Sequence, residues 1–452
     1  MRRPPLAAGQ LAAAALTTGV LALALAPRSA SYDLLGHTLG PLVRDVRVFN
    51  DFEDPTANDN LVPEPMFPGA VGAPLAIWKA AVEWGSALHG NGSGDPTQVD
   101  GLGSGEANFD FSWQGLAVGP GGLTDNTHSS IHADDVGVLA FAEFGQGGWR
   151  IRYYENWTWD DGPGAIAAQH YDLQSCAAHE LGHALGLGHS SFLTTMSAVQ
   201  SGGDTSKRSL LTDDRLGVQA LYGVRSALKP RLTGASWDGV TLTLTGTGFS
   251  ATNNEVWFTR ATPAASGQVP KVTGVPSSGS GTLITVAVPQ DAGSGDVLVR
   301  VPGGSGASLS NAWPLLLGCE PIVSTCPTTA NSAGPGAVLS ATTSQSVAAN
   351  DLVLSATGVL PGQFALAFYG SSPANQPVAG GTLCIGAPLH RLPPVQADGL
   401  GQLVVPVDLT APPAPAATIQ PGQTWHFQLW YRDPAGAAGS DFSNALAIPF
   451  CP

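Results

Sequence analysis

The sequence has little charge and few lysines. Charged residues make up 12% of the chain, and the formal net charge is −15 at pH 7. A nucleic-acid-binding surface needs a cluster of basic side chains, so this composition excludes nucleic acid as a partner. Hydrophobic residues make up 43% of the chain, which excludes wholesale disorder. The 452 residues are enough for about two to four domains.

Cysteine is also scarce, with five in the whole chain. Cys176 is the first, and no cysteine precedes it. The other four, Cys319, Cys326, Cys384 and Cys451, fall in the last third of the sequence. In an exported protein, four cysteines in one module predict two disulfides, and three pairings remain open at this stage.

A single apolar run near the N-terminus is too short to be a typical membrane span. This run, Leu11–Ala26, follows Arg2 and Arg3 and precedes the small residues Ser29–Ser31. Basic, apolar and small segments in this order are typical of a signal peptide, which we place at residues 1–31. The alternative is an uncleaved anchor. Either way, we expect a protein that is secreted or exposed at the cell surface.

Three histidines are concentrated in residues 174–197, QSCAAHELGHALGLGHSSFLTTMS. His179 and His183 are four residues apart, so on a helix they lie on one face and can share one Zn²⁺. Gly186 can take the left-handed conformation that ends a helix, after which His189 can approach from a third direction. Three protein ligands leave a fourth zinc position open for water, as in a catalytic site.

The remaining residues of this segment suggest how the site would act. Glu180 lies beside the first histidine and can take a proton from a zinc-bound water. Cys176 precedes His179 by three residues, and as a fourth ligand it would close the site. We therefore expect Cys176 to be a small buried hydrophobe. The competing interpretation of the whole motif is an amphipathic helix with two solvated histidines and no metal.

The complete HExxHxxGxxH pattern, with Met196 downstream, resembles the metzincin zinc metalloproteases. Ser190 after the third histidine and the segment Leu211–Gly223 resemble the matrixin (matrix metalloproteinase-like) group, and a non-matrixin metzincin is the runner-up. The resemblance covers roughly residues 44–223. It implies an α+β (α/β/α) catalytic domain with a twisted mixed sheet. It also implies that Met196 forms an apolar floor below the histidines without binding metal.

Two departures from the matrixin pattern limit what can be carried over. The positions that hold ligands of a structural zinc in vertebrate-type matrixins are Phe141 and Arg152 here, and neither is a ligand. Matrixin latency often depends on a propeptide cysteine, and no cysteine precedes Cys176. We therefore expect neither a matrixin-type structural zinc nor a cysteine switch.

Upstream of the motif the pattern predicts a strand at Val43–Phe49, a helix over residues 69–89 and a strand at Asn108–Trp113. Gly119–Asp135 looks like a polar loop. Its acidic and imidazole side chains could hold Ca²⁺, although a solvated loop is the favoured interpretation. The side chains concerned are Asp125, His128, His132, Asp134 and Asp135.

The segment Gly137–Phe144 resembles the matrixin edge strand. An exposed edge beside the zinc can pair with an extended peptide through main-chain hydrogen bonds. Side-chain preference would then depend on one pocket next to the metal, whose wall we expect from residues 197–210. This wall is rich in Ser and Gly and lacks the Pro-x-Tyr of many matrixins, so the substrate preference is not transferable.

Helical patterning disappears after Gly223 and alternating strands follow, as in β-sandwiches. Residues 227–317, with LTGTGFS, VWF, ITVAVP and VLVRVPGG, resemble an IPT/TIG immunoglobulin-like domain. The final unit ends in FQLWYRDP…FSNAL, which resembles C-terminal modules of large exported bacterial proteins, so a bacterial source is expected. Trp425, Trp430 and Tyr431 could stack on carbohydrate, but packing in an all-β core is the favoured interpretation.

The sequence therefore predicts a multidomain protein in four parts. These are a signal peptide (1–31), a matrixin-like zinc metalloprotease domain (32–224), an IPT/TIG-like domain (225–317) and a disulfide-bonded β-rich module (318–452). The predicted function is a secreted zinc endopeptidase acting on proteins or peptides, whose two all-β sandwich domains bind cell-surface or extracellular-matrix components. The alternative is an adhesive or structural surface protein with a vestigial protease domain.

Overall fold

The computed structural model describes residues 31–133, 137–267, 269–319, 322–342, 345–347, 349–378, 381–420 and 423–451. The predicted signal peptide lies outside these residues except for Ser31. Within the described part of the chain, no helix has the length and apolarity needed to cross a membrane.

The first unit contains a five-stranded mixed sheet with the order β2-β1-β3-β5-β4. Its neighbouring strands are parallel except for β4, which runs antiparallel to β5 at one edge. The edge strand predicted at Gly137–Phe144 is therefore confirmed in position. The strands are β1 (Asp45–Val48), β2 (Ser112–Leu116), β3 (Thr127–Ile131), β4 (Ala140–Gly145) and β5 (Gly148–Tyr154).

Two predictions upstream of the motif need correction. The polar loop expected over residues 119–135 contains β3, a central strand whose first four residues are buried. A parallel strand covered on both faces does not need the apolar–polar alternation of a half-exposed strand. The hydroxyl groups of Ser129 and Ser130 find backbone acceptors at Pro120 and Asp51. The strand expected at Asn108–Trp113 begins only at Ser112.

Three α-helices accompany the sheet: α1 (Gly72–Glu83), α2 (Leu173–Leu185) and α3 (Thr212–Tyr222). Every residue of α1 is buried, and α1 packs against α2. At this contact the Trp84 indole N–H donates to the carbonyl of Ala178, at 3.0 Å. Two short parallel strands, β6 (Trp159–Asp160) and β7 (Tyr171–Asp172), lead into α2. One apolar core extends from Leu39 to Val218.

The second unit consists of two antiparallel sheets, one of four strands (β11-β10-β13-β14) and one of three (β12-β9-β8). Both sheets contribute to one core, for example through Leu244 of β9 and Val297 of β13. The strands are β8 (Arg231–Trp237), β9 (Thr241–Thr247), β10 (Asn254–Arg260), β11 (Lys271–Val275), β12 (Leu283–Ala287), β13 (Ala292–Arg300) and β14 (Trp313–Leu315).

The third unit is also built from antiparallel strands around its own core. Its main sheets have the orders β15-β25-β24-β18-β21, with β22 also paired to β18, and β16-β17-β23, while β19 and β20 form a hairpin. The strands are β15 (Val323–Cys326), β16 (Val338–Thr342), β17 (Val353–Thr357), β18 (Phe364–Gly370), β19 (Pro373–Val378), β20 (Gly381–Ile385), β21 (His390–Arg391), β22 (Val395–Gln396), β23 (Leu403–Pro406), β24 (Thr424–Arg432) and β25 (Ser440–Pro449).

Two disulfides close the third unit, as the cysteine count predicts. They join Cys319 to Cys451 and Cys326 to Cys384, which selects one of the three pairings. Trp425 and Tyr431 are buried in the core, so the core-packing interpretation is confirmed for both. Trp430 is only half-buried and lines an apolar cleft with Phe364 and Phe442.

The first and second units share a buried polar contact. Asp296 of β13 is fully buried. Its carboxylate accepts a hydrogen bond from the Trp78 indole at 2.8 Å and lies 2.6 Å from Nε2 of His89. Trp78 belongs to α1, and α1 packs against α2. The second unit therefore contacts the helix next to α2.

Candidate metal centre

The site is built on α2, whose two ends are fixed by side-chain and backbone hydrogen bonds. At the N-terminus the Asp172 carboxylate accepts the Ser175 amide at 2.8 Å, which caps the helix. At the C-terminus Gly186 has φ +109°, and its amide donates back to His183. A side chain at Gly186 would place Cβ 2.2 Å from the carbonyl oxygen of His37. Glycine is therefore required where the chain turns back towards His189.

The three predicted histidines come together on one side of α2. Their ligand atoms lie within 4.8 Å of one another, and the ring centroids are 4.7–5.3 Å apart. His179 is buried, His183 is half-buried and His189 is exposed. In the described part of the chain, this trio is the one group of three or more metal-binding side chains whose ligand atoms converge in this way.

The orientation of two of these rings is fixed by backbone carbonyls. Nδ1 of His179 lies 2.7 Å from the carbonyl of Thr195, and Nδ1 of His183 lies 2.7 Å from that of Leu187. A ring held in this way donates from Nδ1 and leaves Nε2 free to bind a metal. Burial lowers the pKa of all three histidines, which favours the neutral imidazoles that a metal requires.

Glu180 lies on the same helix and faces the same cavity. Burial raises the pKa of its carboxyl group to about 8, while the Lys207 cation and the Ala142 amide oppose the increase. Its Oε2 has no hydrogen-bond partner within the described structure. A buried carboxylate with an unsatisfied oxygen is positioned to accept a proton from a ligand in the cavity.

Met196 packs against α2, one residue after the Thr195 carbonyl that holds the His179 ring. Its side chain is buried against Gly182, where an added Cβ would lie 2.2 Å from the methionine sulfur. The amides of Thr195 and Met196 donate to the Asp214 carboxylate at 3.1 and 3.0 Å. The other acid at the start of α3, Asp213, accepts a hydrogen bond from the Ser190 hydroxyl at 2.7 Å.

The histidines open into a cavity of about 700 Å³ beneath the edge strand β4. Its lining includes Phe141 and Ala142 from β4 and Ala198–Gln200 from the segment after Met196. The pocket wall expected from residues 197–210 is present in part, and it includes Lys207 as well. Lys207 was not singled out from the sequence because nothing near it in the chain indicates its closeness to the histidines.

Cys176 lines the cavity but does not belong to the converging trio. It is 3% exposed, and burial raises the pKa of its thiol well above the usual range. A protonated thiol is a poor metal ligand. The expectation of a small buried hydrophobe agrees with this position.

An ion network that no sequence pattern indicates lies at the N-terminal end of α2. Nε of Arg208 donates to the Asp172 carboxylate at 2.9 Å, and Nη1 lies 3.2 Å from Asp95. Asp95 is also paired with Lys79 of α1. All four side chains of this network are buried, and each charge is paired. We call the network the closed end of α2; it consists of Arg208, Asp172, Asp95 and Lys79.

Among the described residues, the side chains considered for calcium do not converge on one point. His128 is fully buried in β3, and its Nδ1 lies 2.8 Å from the Tyr153 hydroxyl. Asp125 binds the amide of Gly122. Asp134 and Asp135 lie outside the described residues, so calcium stays an untested prediction.

At the two positions compared with a matrixin structural zinc, Phe141 packs against Tyr154 and Arg152 donates to Ser129.

Comparison with known proteins identifies a class for part of the chain. Residues 122–223 match the family model Peptidase_M10, Matrixin. These residues include β3, β4, β5, α2 and α3, and therefore the complete histidine trio. The matched part is thus similar to a matrixin domain.

Individual relatives match over the same limited extent. Matrix metalloproteinase-19 of Mus musculus is 40% identical over 89 residues, which are 20% of this chain and 16% of that protein. Metalloendoproteinase 1 of Glycine max is 46% identical over 54 residues, 12% of this chain and 18% of that protein. The chain therefore spans less than a fifth of the length of these relatives. Among solved structures, a tetra-tandem repeat from a large adhesion protein aligns over 48% of this chain and 47% of its own, with 12% identity and a TM-score of 0.16, too low to support an argument about fold.

Proposed function

We propose that the protein is a secreted zinc-dependent endopeptidase. The observation that carries the proposal is the convergence of three histidine rings and an unsatisfied glutamate in one cavity beneath an edge strand. Family membership of residues 122–223 supports the same reaction class.

The donor set fits zinc better than calcium or magnesium. Three neutral imidazoles suit Zn²⁺, whereas Ca²⁺ and Mg²⁺ prefer oxygen ligands. His179, His183 and His189 would hold the ion. When bound, Zn²⁺ would polarise the scissile carbonyl and lower the pKa of a water molecule to about 7.

The remaining chemistry belongs to residues of the chain. Glu180 accepts the proton of the attacking water and delivers it to the leaving amine. Met196 packs so closely against Gly182 that an added Cβ would lie 2.2 Å from the methionine sulfur, and this contact holds the segment after His189 against α2. Thr195 and Leu187 hold the rings in the tautomer that leaves Nε2 free.

Strand β4 is the proposed binding edge for substrate. It pairs with β5 on one side and borders the cavity. An extended peptide can add to such an edge through main-chain hydrogen bonds, which makes binding largely independent of sequence.

We assign the other units accessory roles within the division 32–224, 225–317 and 318–452. Two sheets around one core support an IPT/TIG-like sandwich for the second unit. Two disulfides are typical of exported proteins and support a signal peptide at residues 1–31. These units would hold the enzyme near cell-surface or matrix components.

The test is digestion of a broad peptide mixture by the full zinc-loaded chain, with cut sites identified by mass spectrometry. Glu180→Gln should retain zinc and lose about 10²–10⁴-fold in turnover, because it removes the general base. Glu255→Gln, which changes a carboxylate in the second unit, is the matched control and should cut like the parent protein. Chelation should abolish cutting by both the parent and the control.

Full turnover by Glu180→Gln would contradict the proposed mechanism. A folded, zinc-loaded protein that cuts no peptide would favour the alternative of an adhesive surface protein with a vestigial site.

A further inference from the structure

The chain has four lysines, and three of them are buried. Lys79 is paired with Glu64 and Asp95, and Lys229 lies 2.9 Å from Asp110. Buried ammonium groups are normally paired in this way, because an unpaired charge loses its hydration without compensation. Lys207 differs: it is 5% exposed, and no carboxylate oxygen lies within 4.0 Å of its amine in the described part of the chain.

The single hydrogen bond assigned to the Lys207 amine goes to the carbonyl of Ser197. An ammonium group has three N–H donors, so one such bond leaves capacity for a further acceptor. Burial lowers the pKa of Lys207, as expected for a cation without a close counter-ion. The side chain is therefore a buried cation with unused donors.

The backbone of Lys207 is anchored next to the metal centre. The Thr195 hydroxyl donates to the carbonyl of Lys207 at 3.3 Å, and the carbonyl of Thr195 fixes the His179 ring. Lys207 lines the same cavity as Glu180, His179 and Gln200. Its charge thus faces the space next to the proposed scissile bond.

The other acidic side chain lining the cavity, besides Glu180, is Asp33. Asp33 is exposed and lies against Gly188, beside the third histidine, whereas Lys207 belongs to the segment after Met196. The cavity therefore has a cation in one wall and an exposed carboxylate in another. A substrate carboxylate directed to the Lys207 wall would supply the missing counter-ion.

We infer that Lys207 is a specificity-determining residue that selects an acidic side chain, Asp or Glu, directly beside the scissile bond. The inference rests on the proposed endopeptidase function and deepens it. The carboxylate of such a residue accepts the unused N–H donors of the amine. An apolar side chain at the same place would leave the cation buried and unpaired.

The experiment uses the full zinc-loaded chain and peptides of one sequence. The two residues flanking the cut are varied in turn among Glu, Gln, Leu and Lys, and kcat/KM is measured for each. At one of the two positions, Glu should exceed Gln by about tenfold or more, since a hydrogen bond to a charged partner contributes roughly 1.5–3 kcal/mol. Gln is the comparison because it has the same shape without the charge.

Variants of Lys207 test whether this residue is the cause. Lys207→Met should reduce the Glu-to-Gln ratio to about one, and Lys207→Arg should retain the preference for Glu. Lys207→Glu should favour the Lys peptide instead. Lys271→Met, a change of a partly exposed lysine in β11, is the matched control and should keep the parent ratio. A merely structural role for Lys207 would change rates for all peptides alike.

Several outcomes would overturn the inference. If the parent protein cuts the peptides with equal kcat/KM for Glu and Gln at both positions, the endopeptidase stands and the role of Lys207 is refuted. A Glu preference that survives in Lys207→Met would place the recognition elsewhere. If the parent cuts no peptide in the series or in the broad mixture, the proposed function fails and this inference fails with it.

Discussion

The two ends of α2 differ in whether their charged side chains form ion pairs. At the N-terminal end Asp172, Arg208 and Asp95 pair with one another in the protein interior. At the C-terminal half Glu180 has an oxygen without a partner, and three imidazoles face a cavity. Paired buried charges hold a structure together, whereas unpaired groups facing a cavity are available to a ligand. The difference separates the part of the helix that supports the fold from the part that would perform chemistry.

The largest effect is expected from breaking the closed end of α2. Arg208→Met leaves the carboxylates of Asp172 and Asp95 buried without their shared cation. Removal of one partner from a buried ion network costs about 3–5 kcal/mol. We therefore expect the free energy of unfolding, measured by urea denaturation, to fall by about that amount.

Arg215→Met is the matched control for this prediction. Arg215 of α3 is paired with Asp100, which lies outside this helix. Both side chains are partly exposed, at 25% and 51%. Exposed pairs contribute about 0–1 kcal/mol, so this variant should unfold close to the parent. Equal losses for the two variants would show that the closed end has no special structural role.

The distance between partners along the chain explains which features could be predicted from sequence. The three histidines are separated by four and six residues, and one helix with its glycine turn is enough to bring them together. Arg208 and Asp172 are 36 residues apart, and nothing local to either residue indicates the pairing. Lys207 was missed for the same reason. The convergence of the histidines could thus be predicted, but the charges that surround them could not.

Strand β3 was missed for a different reason. Its sequence Thr-His-Ser-Ser-Ile has one aliphatic residue and suggests a loop. Several of its polar groups find partners in other segments of the chain, for example the Ser130 hydroxyl at Asp51 and Nδ1 of His128 at Tyr153. By contrast, β4, α2 and α3 were placed within a few residues. The segments of β4 and α3 resemble a known family, and the spacing of the histidines indicates the helix α2. In the second unit the segments VWF, ITVAVP and VLVRVPGG fall on β10, β12 and β13, whereas the disulfide pairing of the third unit needed the structure.

An intermediate effect is expected at the turn that joins the helix to His189. Gly186→Ala forces a side chain onto a residue with φ +109° and against the His37 carbonyl. Such backbone strain costs about 1–3 kcal/mol. The variant should lose that much stability and should also bind zinc more weakly, because Leu187 would move away from the His183 ring. Thermal unfolding with and without zinc measures both effects.

Gly164→Ala separates strain from position. Gly164 also has positive φ, at +84°, but an added Cβ meets nothing within 4 Å. This control should lose stability through its backbone conformation alone and keep the parent's affinity for zinc. Unchanged zinc affinity in Gly186→Ala would mean that the turn is not what positions the histidines.

The smallest effect is expected at His128, a buried histidine that does not line the cavity of the histidine trio. His128 is fully buried, and burial lowers its pKa to about 3 from an ordinary value of 6.5. Between these two pKa values His128 binds a proton in the unfolded chain but not in the folded protein, so the free energy of unfolding falls as the pH falls. The contribution of His128 to this free energy is present above pH 6.5 and is progressively lost down to about pH 3. From pH 6.5 to pH 5.5 the loss through this one group is about 1 kcal/mol.

Replacement of His128 separates its contribution to the pH dependence of stability from that of the carboxylates. His128→Phe keeps a ring between Trp149 and Tyr153 and removes the titrating nitrogen atoms. Its free energy of unfolding should therefore depend less steeply on pH than that of the parent, by about 1 kcal/mol over this interval. His132→Phe, at a position 55% exposed, should keep the parent slope, because folding does not bury this ring. Parallel pH profiles for all three proteins would show that His128 accepts a proton in the folded state, and that burial alone does not distinguish it from the histidines of the cavity.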